Sequence, residues 1–231
     1  MKNGTGKKLI AVETSSSAFS VAACAGGRIA ADLRAEGLGR PSTLLADMIQ
    51  QAAKEGGFTL SEVDGFAVSI GPGSFTGLRV GVTTVKTLAW ALKKPVLPVS
   101  SLEVIAHNAP TPCEHACVFV DARKNKVYTA SFSTGRDGSV NRLSKDLLGL
   151  PEEALEKLPP GALIVGDGIR RYQELIRSME KKGFLIAPES AWVPLAASVC
   201  RIALSRWPAG ILDDPHPLVP QYLYSKEGDI A

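Results

Sequence analysis

The sequence GPGSFTGLRVG, residues 71–81, joins a predicted strand to a predicted helix. The apolar run Phe66–Ile70 comes directly before it, and apolar residues recur at helical spacing after it, to about Leu92. A glycine-rich turn at the start of a helix either directs backbone N–H groups at a bound anion or lets two backbone segments approach closely. The sequence leaves both alternatives open for this turn.

The helix after the turn has two distinct faces. One face is apolar and comprises Leu78, Val82, Val85, Ala89 and Leu92. The neighbouring face consists mostly of small residues, Gly77, Gly81, Thr84 and Leu88. Because a glycine inside a helix costs about 1 kcal/mol relative to alanine, glycines on one face indicate a close packing contact. That contact is made either with another element of the same chain or with a second subunit.

A second amphipathic helix is predicted over residues 42–54. It begins at Ser42, a residue type that is common at helix N-termini, and it ends before Gly56-Gly57. Its apolar residues fall on one stripe and are Leu44, Leu45, Met48, Ile49, Ala52 and Ala53. This pattern predicts a helix with one face against a sheet.

The order of predicted elements occurs twice along the chain. Residues 9–34 are predicted to form three antiparallel strands, and helices and strands alternate from there to about residue 108. After the proline-containing segment 109–112, residues 116–143 again predict three strands, followed by alternating helices and strands to about residue 207. We therefore predict two similar α/β lobes, residues 1–109 and residues 110–231.

Composition places the chain among ordinary globular proteins. It has 231 residues, of which 45% are hydrophobic and 21% charged, with a formal net charge of +3. A net charge this small does not predict nucleic acid as a direct, high-affinity partner. No apolar run reaches the roughly 18 residues of a membrane helix, and the polar, basic start has no signal-peptide core. These features predict a cytoplasmic location.

The cysteines do not predict a disulfide framework or a metal site. Four cysteines in 231 residues are few and widely spaced. The segment Cys113–Cys117 contains two cysteines and His115, which are zinc-ligand types, but no second half supplies the remaining ligands of a closed site. Small residues entering a strand are the plainer explanation, so we predict no metal.

Polar residues at strand ends are the candidates for nucleotide chemistry. Thr14 and Ser15 follow the first strand, and Asp121 ends the corresponding strand of the second half, where such residues would clamp phosphates. Glu13 and Asp121 hold equivalent positions, at which a kinase-like protein would bind magnesium or orient water. Each carboxylate is equally well explained as an acceptor for N–H groups of its turn.

The turn at 71–81 does not match known catalytic or phosphate-binding motifs. It is not a Walker A loop, because no lysine followed by serine or threonine closes it. Ser74 follows Gly73 but does not stand in a G-x-S-x-G nucleophile elbow, so a helix cap is the plainer role for its hydroxyl group.

Several motifs together resemble the TsaB family, also called YeaZ. They occur in the same order over nearly the whole chain and are Glu13-Thr14-Ser15, the turn at 71–81, Pro98–Leu102, Asp121-Ala122-Arg123 with Val127-Tyr128, Gly166-Asp167-Gly168 and Pro220–Leu223. The resemblance implies an α/β fold of the actin-like, Hsp70-like ATPase (ASKHA) type. Such a fold has two similar lobes, each with a mixed five-stranded sheet and flanking helices.

The resemblance also implies a function in tRNA modification. Members of this family are thought to be non-catalytic partners of the paralogous transferase TsaD, which with the ATPase TsaE makes threonylcarbamoyladenosine at position 37 of tRNAs that read ANN codons. TsaD holds a metal on a His-x-x-x-His pair in its first long helix, whereas residues 42–54 of this chain contain no histidine. The resemblance therefore implies a scaffold without catalytic residues or metal, with tRNA reached indirectly and with ATP or ADP, if present, at the interface with TsaD.

The same resemblance implies which residues form the partner interface. The two predicted helices would pack against matching helices of TsaD, or against a second copy of this chain when TsaD is absent. The predicted interface residues are Leu44, Leu45, Met48, Gly77, Arg79, Gly81, Thr84 and Val85. The candidate nucleotide-binding residues are Glu13, Thr14, Ser15 and Asp121.

Two departures and one alternative accompany the resemblance. Glu13 stands where relatives commonly have aspartate, and Arg40-Pro41-Ser42 stands where relatives often have a histidine. The alternative function is an active actin-like ATPase or small-molecule kinase, which would need Glu13 or Asp121 near the γ-phosphate of ATP.

Overall fold

A computed structural model of the chain describes residues 6–36, 41–207, 209 and 211–224. The strands in these ranges are β1 Leu9–Glu13, β2 Ala18–Ala25, β3 Arg28–Glu36, β4 Gly65–Gly71, β5 Val96–Ser100, β6 Cys113–Arg123, β7 Lys126–Thr134, β8 Val140–Arg142, β9 Leu147–Gly149, β10 Leu163–Val165 and β11 Leu185–Ile186. The helices are α1 Pro41–Glu55, α2 Phe75–Leu92, α3 Ser101–Ala106, α4 Pro151–Glu156, α5 Gly168–Ser178 and α6 Ala196–Arg206. Short 3-10 turns lie at Leu60–Glu62, Glu180–Lys182 and Glu189–Ala191.

The strands form two mixed sheets of the same topology. The first sheet has the order β3-β2-β1-β4-β5, and the second has the order β8-β7-β6-β10-β11. In each sheet the first three strands are an antiparallel meander, the fourth strand pairs parallel to the first, and the fifth pairs parallel to the fourth. The predicted α/β, actin-like fold with repeated five-stranded sheets is thus confirmed. The second sheet also has a short strand that the sequence did not predict, β9, which pairs with β7.

The first sheet is apolar on both faces because residues of β1 alternate between two cores. Ile10 and Val12 pack in one core with residues of α1 and α2, while Leu9 and Ala11 pack in the other with residues of α6. A strand buried on both faces has few polar positions, and all five residues of β1 are buried. Glu13, the last of them, is therefore an exception that needs a structural explanation.

Helix α6 packs in the first of two compact units. The first unit comprises the described residues up to Val104 together with Leu195–Gln221, and the second comprises Ile105–Pro194 with the described residues from Tyr222. The predicted division at residues 109 and 110 assigned α6 and the following tail to the second lobe. The structure differs from this division because α6 packs on the first sheet. Its apolar residues Val199 and Ile202 lie in the same core as Leu9 of β1 and Ala22 of β2.

This return of α6 also produces a cysteine pair that the sequence did not predict. Cys24 of β2 and Cys200 of α6 lie side by side, with their Cα atoms 6.5 Å apart, and both side chains are fully buried. A separation of 176 residues hides this proximity in the sequence.

Both ends of α2 are capped by local interactions. The Ser74 hydroxyl accepts a hydrogen bond from the Gly77 N–H at 3.2 Å, which confirms the predicted cap. At the other end Lys93 has a left-handed backbone, and its N–H group bonds to carbonyls of the last turn. Helix α1 begins at Pro41, one residue before the predicted start, which suits the fixed φ of proline. The side chain of Ser42, the predicted cap of α1, lies outside the described residues.

The second unit repeats a glycine turn at its fourth strand position. Gly166, between β10 and α5, has a φ of +129°, and a Cβ atom there would overlap the Phe119 carbonyl of β6. The turn at 71–81, between β4 and α2, holds the same place relative to β1 in the first unit. In each unit, therefore, a glycine-containing turn at the start of a helix packs against the first strand of the sheet.

Candidate functional site

Glu13 is a buried carboxyl group at the end of β1. Its side chain is 0% exposed, and Oε1 accepts a hydrogen bond from the Ser15 N–H at 2.5 Å. Burial raises the pKa of Glu13 above its usual value, and hydrogen bonds from Ser15 and Ser69 oppose that effect only partly. Ser69 in turn shares a hydrogen bond of 2.8 Å with Ser101, so the carboxyl group belongs to a buried polar network.

Three consecutive residues at the end of β1 carry buried side-chain atoms without a hydrogen-bond partner. Within the described part of the chain, Glu13 Oε2, Thr14 Oγ1 and Ser15 Oγ are in this state, as is the Tyr172 hydroxyl in the second unit. Leaving a buried polar group unpaired costs about 1–3 kcal/mol. The turn is thus less stable locally than an apolar strand end would be, which marks it as a candidate site.

The glycines of the turn at 71–81 lie against Thr14 and Ser15, which follow β1. A Cβ atom on Gly73 would overlap the Ser15 carbonyl, one on Gly77 the Thr14 carbonyl, and one on Gly81 the Thr14 hydroxyl. The Ser74 N–H also donates to the Ser15 carbonyl at 2.7 Å. Of the two alternatives drawn from the sequence, these contacts match close approach of backbone segments within one chain.

A nucleotide phosphate does not fit the residues of the turn at 71–81. The space beside Gly73, Gly77 and Gly81 is filled by Thr14 and Ser15, and the turn contains no lysine. Glu13 beside it is shielded from solvent, and burial raises its pKa, which disfavours the charged carboxylate that binds magnesium.

Asp121 occupies the corresponding position in the second unit, at the end of β6, but in a different environment. Its Oδ1 accepts from the Arg123 N–H at 2.9 Å, and its Oδ2 lies 3.4 Å from Arg123 Nη1 and 3.7 Å from Arg171 Nη1. The Asp121 N–H donates to Asp167 Oδ1 at 3.2 Å, and burial raises the pKa of Asp167. The two equivalent carboxyl groups therefore differ: Glu13 is buried among hydroxyls, while Asp121 is paired with guanidinium groups.

The predicted interface residues divide into buried and exposed groups. The buried group comprises Leu45, Met48, Gly77, Gly81 and Val85. In this structure Leu45, Met48 and Val85 pack in the core, and Gly77 and Gly81 lie against Thr14. Leu44 is 40% exposed, Arg79 is exposed and Thr84 is half-buried, and these three remain available at the surface.

Two exposed aromatic residues of α2 were missed by the sequence prediction. Phe75 is 54% exposed and Trp90 is 63% exposed, at opposite ends of the helix. The Arg79 guanidinium lies 3.9 Å from the centre of the Phe75 ring. The signal that could have found them is their position, since neither belongs to the apolar stripe that begins at Leu78.

The histidine and cysteine residues do not gather into a metal site. Among the described residues there is no group of three or more His, Cys, Asp or Glu side chains that could hold a metal ion. Cys117 is buried in β6, its sulfur lies 3.2 Å from Thr129 Oγ1, and burial raises the pKa of its thiol to about 11. A thiol with such a pKa is a structural residue and a poor metal ligand at neutral pH. No described helix has the length and apolar character needed to cross a bilayer.

Comparisons with known proteins agree with this architecture. A family model described as TsaD, tRNA N6-adenosine threonylcarbamoyltransferase, matches residues 41–177. The tRNA threonylcarbamoyladenosine biosynthesis protein TsaB of Bacillus subtilis (strain 168) is 32% identical over 166 residues, which is 70% of this chain and 70% of that protein. TsaB of Escherichia coli (strain K12) is 25% identical over 208 residues, 88% of each chain.

Solved structures of similar proteins match a larger part of this chain. The structure of YeaZ from Pseudomonas aeruginosa has a TM-score of 0.79 at 27% identity and covers 94% of this chain and 100% of that one. A second structure from that organism, described as similar to peptidase YEAZ, has a TM-score of 0.80 at 25% identity with the same coverage. The resemblance of the motifs is confirmed by these matches: the chain belongs to the TsaB (YeaZ) family.

Proposed function

We propose that this chain serves tRNA threonylcarbamoyladenosine biosynthesis as a non-catalytic scaffold and activating subunit of a TsaD-type transferase. The proposal is supported by the names of the relatives, which are tRNA threonylcarbamoyladenosine biosynthesis proteins, and by the family model, which describes the transferase. In this proposal TsaE joins through the complex, and threonylcarbamoyl is transferred to adenosine 37 of ANN-decoding tRNAs in the cytoplasm.

The observation that carries the proposal is the exposed face of α2. Phe75 and Trp90 lie at its ends, Arg79 stacks on Phe75, and the exposed residues between them are mostly threonines. Large aromatic and arginine side chains are the residue types that most often anchor protein interfaces. An 18-residue helix that presents them along one face is suited to pack against a helix of a partner.

Helix α1 extends this surface and the core holds it in place. Leu44 of α1 is 40% exposed, whereas Leu45 and Met48 of the same helix are buried against the sheet. Because the buried faces of α1 and α2 fix both helices, the exposed residues are held in one arrangement before a partner binds. Preorganisation of this kind lowers the entropic cost of association.

Two features of the first unit support the non-catalytic part of the proposal. Helix α1 reads PSTLLADMIQQAAKE and so lacks the histidine pair that the resemblance assigns to TsaD. Glu13, at the position where an active kinase-like protein would need a charged carboxylate, is buried with a raised pKa. Burial that disfavours the charged form makes a carboxyl group a weaker ligand for magnesium, which prefers carboxylate oxygens.

The same surface would pair two copies of the chain when no transferase is present. A two-fold pair needs a surface that is complementary to itself, and a helix face with an aromatic residue at each end meets this need when it packs antiparallel on its copy. We therefore expect the transferase to compete with homodimer formation.

The test measures binding between this chain and its TsaD-type partner by calorimetry and size-exclusion chromatography. The variant Arg79→Glu/Trp90→Ala removes an anchor and reverses a charge on the exposed face, and we expect at least a tenfold weaker complex. Neither side chain belongs to the core, so circular dichroism should match that of the parent.

The control variant is Arg177→Glu on α5, which makes a single reversal on an exposed face of the second unit. It should bind the partner as the parent does. Unchanged binding by Arg79→Glu/Trp90→Ala would refute the proposed interface, and steady ATP turnover by the chain alone would refute its non-catalytic role.

A further inference from the structure

We propose that the second unit binds RNA phosphates directly through a basic surface at the β6–β7 hairpin and the start of α5. This hairpin surface consists of Arg123, Lys124, Lys126, Arg170 and Arg171. The inference rests on the proposed role in tRNA modification, and it replaces the expectation that tRNA is reached only through the partner. Its occupant is the phosphate backbone of a folded RNA.

The hairpin presents its basic residues from a strained backbone. Arg123, Lys124 and Asn125 have φ values of +66°, +47° and +54°, a conformation that costs L-residues other than glycine and asparagine about 1–2 kcal/mol each. A two-residue turn of this type is most stable with Asn-Gly or Asp-Gly, whereas Lys124-Asn125 stands at its tip. The Arg123 side chain is 83% exposed, and Lys124 is exposed beside it.

Contacts from α5 join its two arginines to the hairpin. Arg171 Nη2 donates to Asn125 Oδ1 at 2.9 Å, and Arg171 Nη1 lies 3.7 Å from Asp121 Oδ2, which also pairs with Arg123. Arg170, the preceding residue, and Arg123 both act on the carboxyl group of Asp167 and favour its ionised form. The guanidinium groups are thereby gathered at one end of the second sheet.

Aromatic rings lie under two of the cations. The Arg170 guanidinium is 5.8 Å from the centre of the Trp192 ring, and Lys126 Nζ is 5.6 Å from that of Tyr224. The Tyr224 hydroxyl donates to the Ala122 carbonyl at 2.8 Å, which holds its ring beside the hairpin. Cations that are restrained over rings lose less entropy when they bind phosphate. Both rings are half-buried, so their role is to hold the cations in place.

The charge balance of the surface favours an anion. The five basic side chains outnumber the carboxyl groups beside them, which are Asp121, Asp167, Glu189 and Glu152, the last of which acts with Arg171 on Tyr172. Arginine forks bind phosphate oxygens in a bidentate manner, and three of the five cations are arginines. A local excess of this kind is compatible with a whole-chain charge of only +3.

The test is RNA binding by the full chain with Arg123→Asn/Lys124→Asn. Asparagine tolerates the left-handed backbone better than arginine or lysine does, so these changes remove two charges without straining the hairpin. The probe is a fluorescently labelled, unmodified transcript of an ANN-decoding tRNA, titrated at several salt concentrations, alone and with the TsaD-type partner. We expect about tenfold weaker binding and a log–log salt slope that is smaller by about 1.5.

The control is Arg177→Gln/Lys181→Gln, which removes the same charge from exposed positions in the last turn of α5 and in the 3-10 turn that follows it. An equal loss in both variants would mean that only net charge matters and would overturn the proposal. Unchanged RNA binding by Arg123→Asn/Lys124→Asn would also overturn the proposal. So would a variant that loses binding only to vesicles of phosphatidylglycerol and phosphatidylcholine, because the surface would then bind lipid and not RNA. Partner binding is measured in the same samples, so that a failed RNA contact with an intact complex counts against this proposal and not against the scaffold role.

Discussion

At the scale of single residues, Glu13 shows how burial disfavours the charged form of a carboxyl group. It ends a strand that is buried on both faces, and its neighbours Thr14 and Ser15 are buried as well. Desolvation penalises the charged form, so the pKa of Glu13 is raised in the folded chain. Because the unfolded chain has the ordinary pKa, the proton is bound more tightly in the folded state, and stability depends on pH.

We predict that Glu13→Gln removes this dependence. The contribution of Glu13 is most favourable below about pH 4.5 and is lost as pH rises toward the raised pKa of the folded state. The variant should therefore match the parent near pH 4 and exceed its free energy of unfolding at pH 7. Urea denaturation at pH 4, 5.5 and 7 measures the difference, and a difference from the parent that is the same at every pH would show that folding does not raise the pKa of Glu13.

Glu62 provides a control of the opposite sign. Hydrogen bonds from the Thr59 N–H and from Lys8 lower the pKa of this exposed carboxyl group to about 2. Its stabilising contribution is present above about pH 4.5 and is lost as pH falls toward 2. Glu62→Gln should thus be less stable than the parent at pH 7, with a difference that shrinks on acidification.

The sequence located Glu13 and Asp121 but could not give their states. Their equivalence follows from the repeated order of strands, which the alternation of apolar residues predicted and the two sheets confirm. Whether a strand-end carboxyl group is buried among hydroxyls or paired with arginines depends on residues far away, such as Ser69 for Glu13 and Arg171 for Asp121. Sequence patterns do not encode such long-range contacts.

At the scale of elements, the junction between α2 and the end of β1 explains the glycine-rich turn. Gly77 and Gly81 stand on one face of the helix, and Thr14 occupies the space that their side chains would fill. The helix accepts the propensity cost of glycine, about 1 kcal/mol per residue, because larger residues would push it off the sheet.

A set of substitutions separates the two contacts. Gly81→Ala should destabilise the chain by about 1–3 kcal/mol because its Cβ overlaps the Thr14 hydroxyl, and Thr14→Ala should restore most of that loss. Gly77→Ala should cost at least as much, and Thr14→Ala should not rescue it, because that overlap is with the Thr14 carbonyl. Chemical denaturation of the single and double variants gives the coupling energies.

The control for this set is Gly149→Ala, since a Cβ atom there meets nothing within 4 Å. It should change stability by less than about 0.5 kcal/mol. If Thr14→Ala rescued Gly77→Ala and Gly81→Ala equally, the two contacts would not be distinct, and the assignment of Gly77 to backbone packing would be wrong.

Elements with a clear period were predictable, and short elements were not. Helix α2 begins directly after its predicted cap, Ser74, because a serine cap and a long apolar face define it. Strand β9 has only three residues and pairs with the side of β7, so its sequence carries no recognisable alternation. The exposed aromatic residues of α2 were missed because a search for apolar faces finds the residues that become buried.

At the scale of the whole molecule, the chain leaves the first unit after Val104 and returns to it at Leu195. Helix α6 then supplies Val199, Ile202 and Ala203 to the core on the outer face of β1 and β2. A linear division into lobes could not predict this, because α6 follows the elements of the second unit without a break in pattern. The first unit therefore depends on residues that follow the strands and helices of the second unit in the sequence.

This arrangement predicts that Ile202→Asp acts on the first unit before the second. A buried aspartate without a partner should lower the stability of that unit by about 3–5 kcal/mol, whereas Arg201→Asp, one residue earlier and exposed, should have little effect. The three tryptophans allow the units to be followed separately, since Trp207 packs beside Gly65 in the first unit and Trp192 bonds to Ala187 in the second.

The measurement uses two backgrounds in which one of these tryptophans is kept and the other two are replaced by phenylalanine. In each background Ile202→Asp is compared with its own parent by fluorescence during urea denaturation. The midpoint reported by Trp207 should fall clearly, and that reported by Trp192 should fall less. Equal shifts in both backgrounds would mean that the two cores unfold as one cooperative unit, in which case the return of α6 stabilises the chain as a whole.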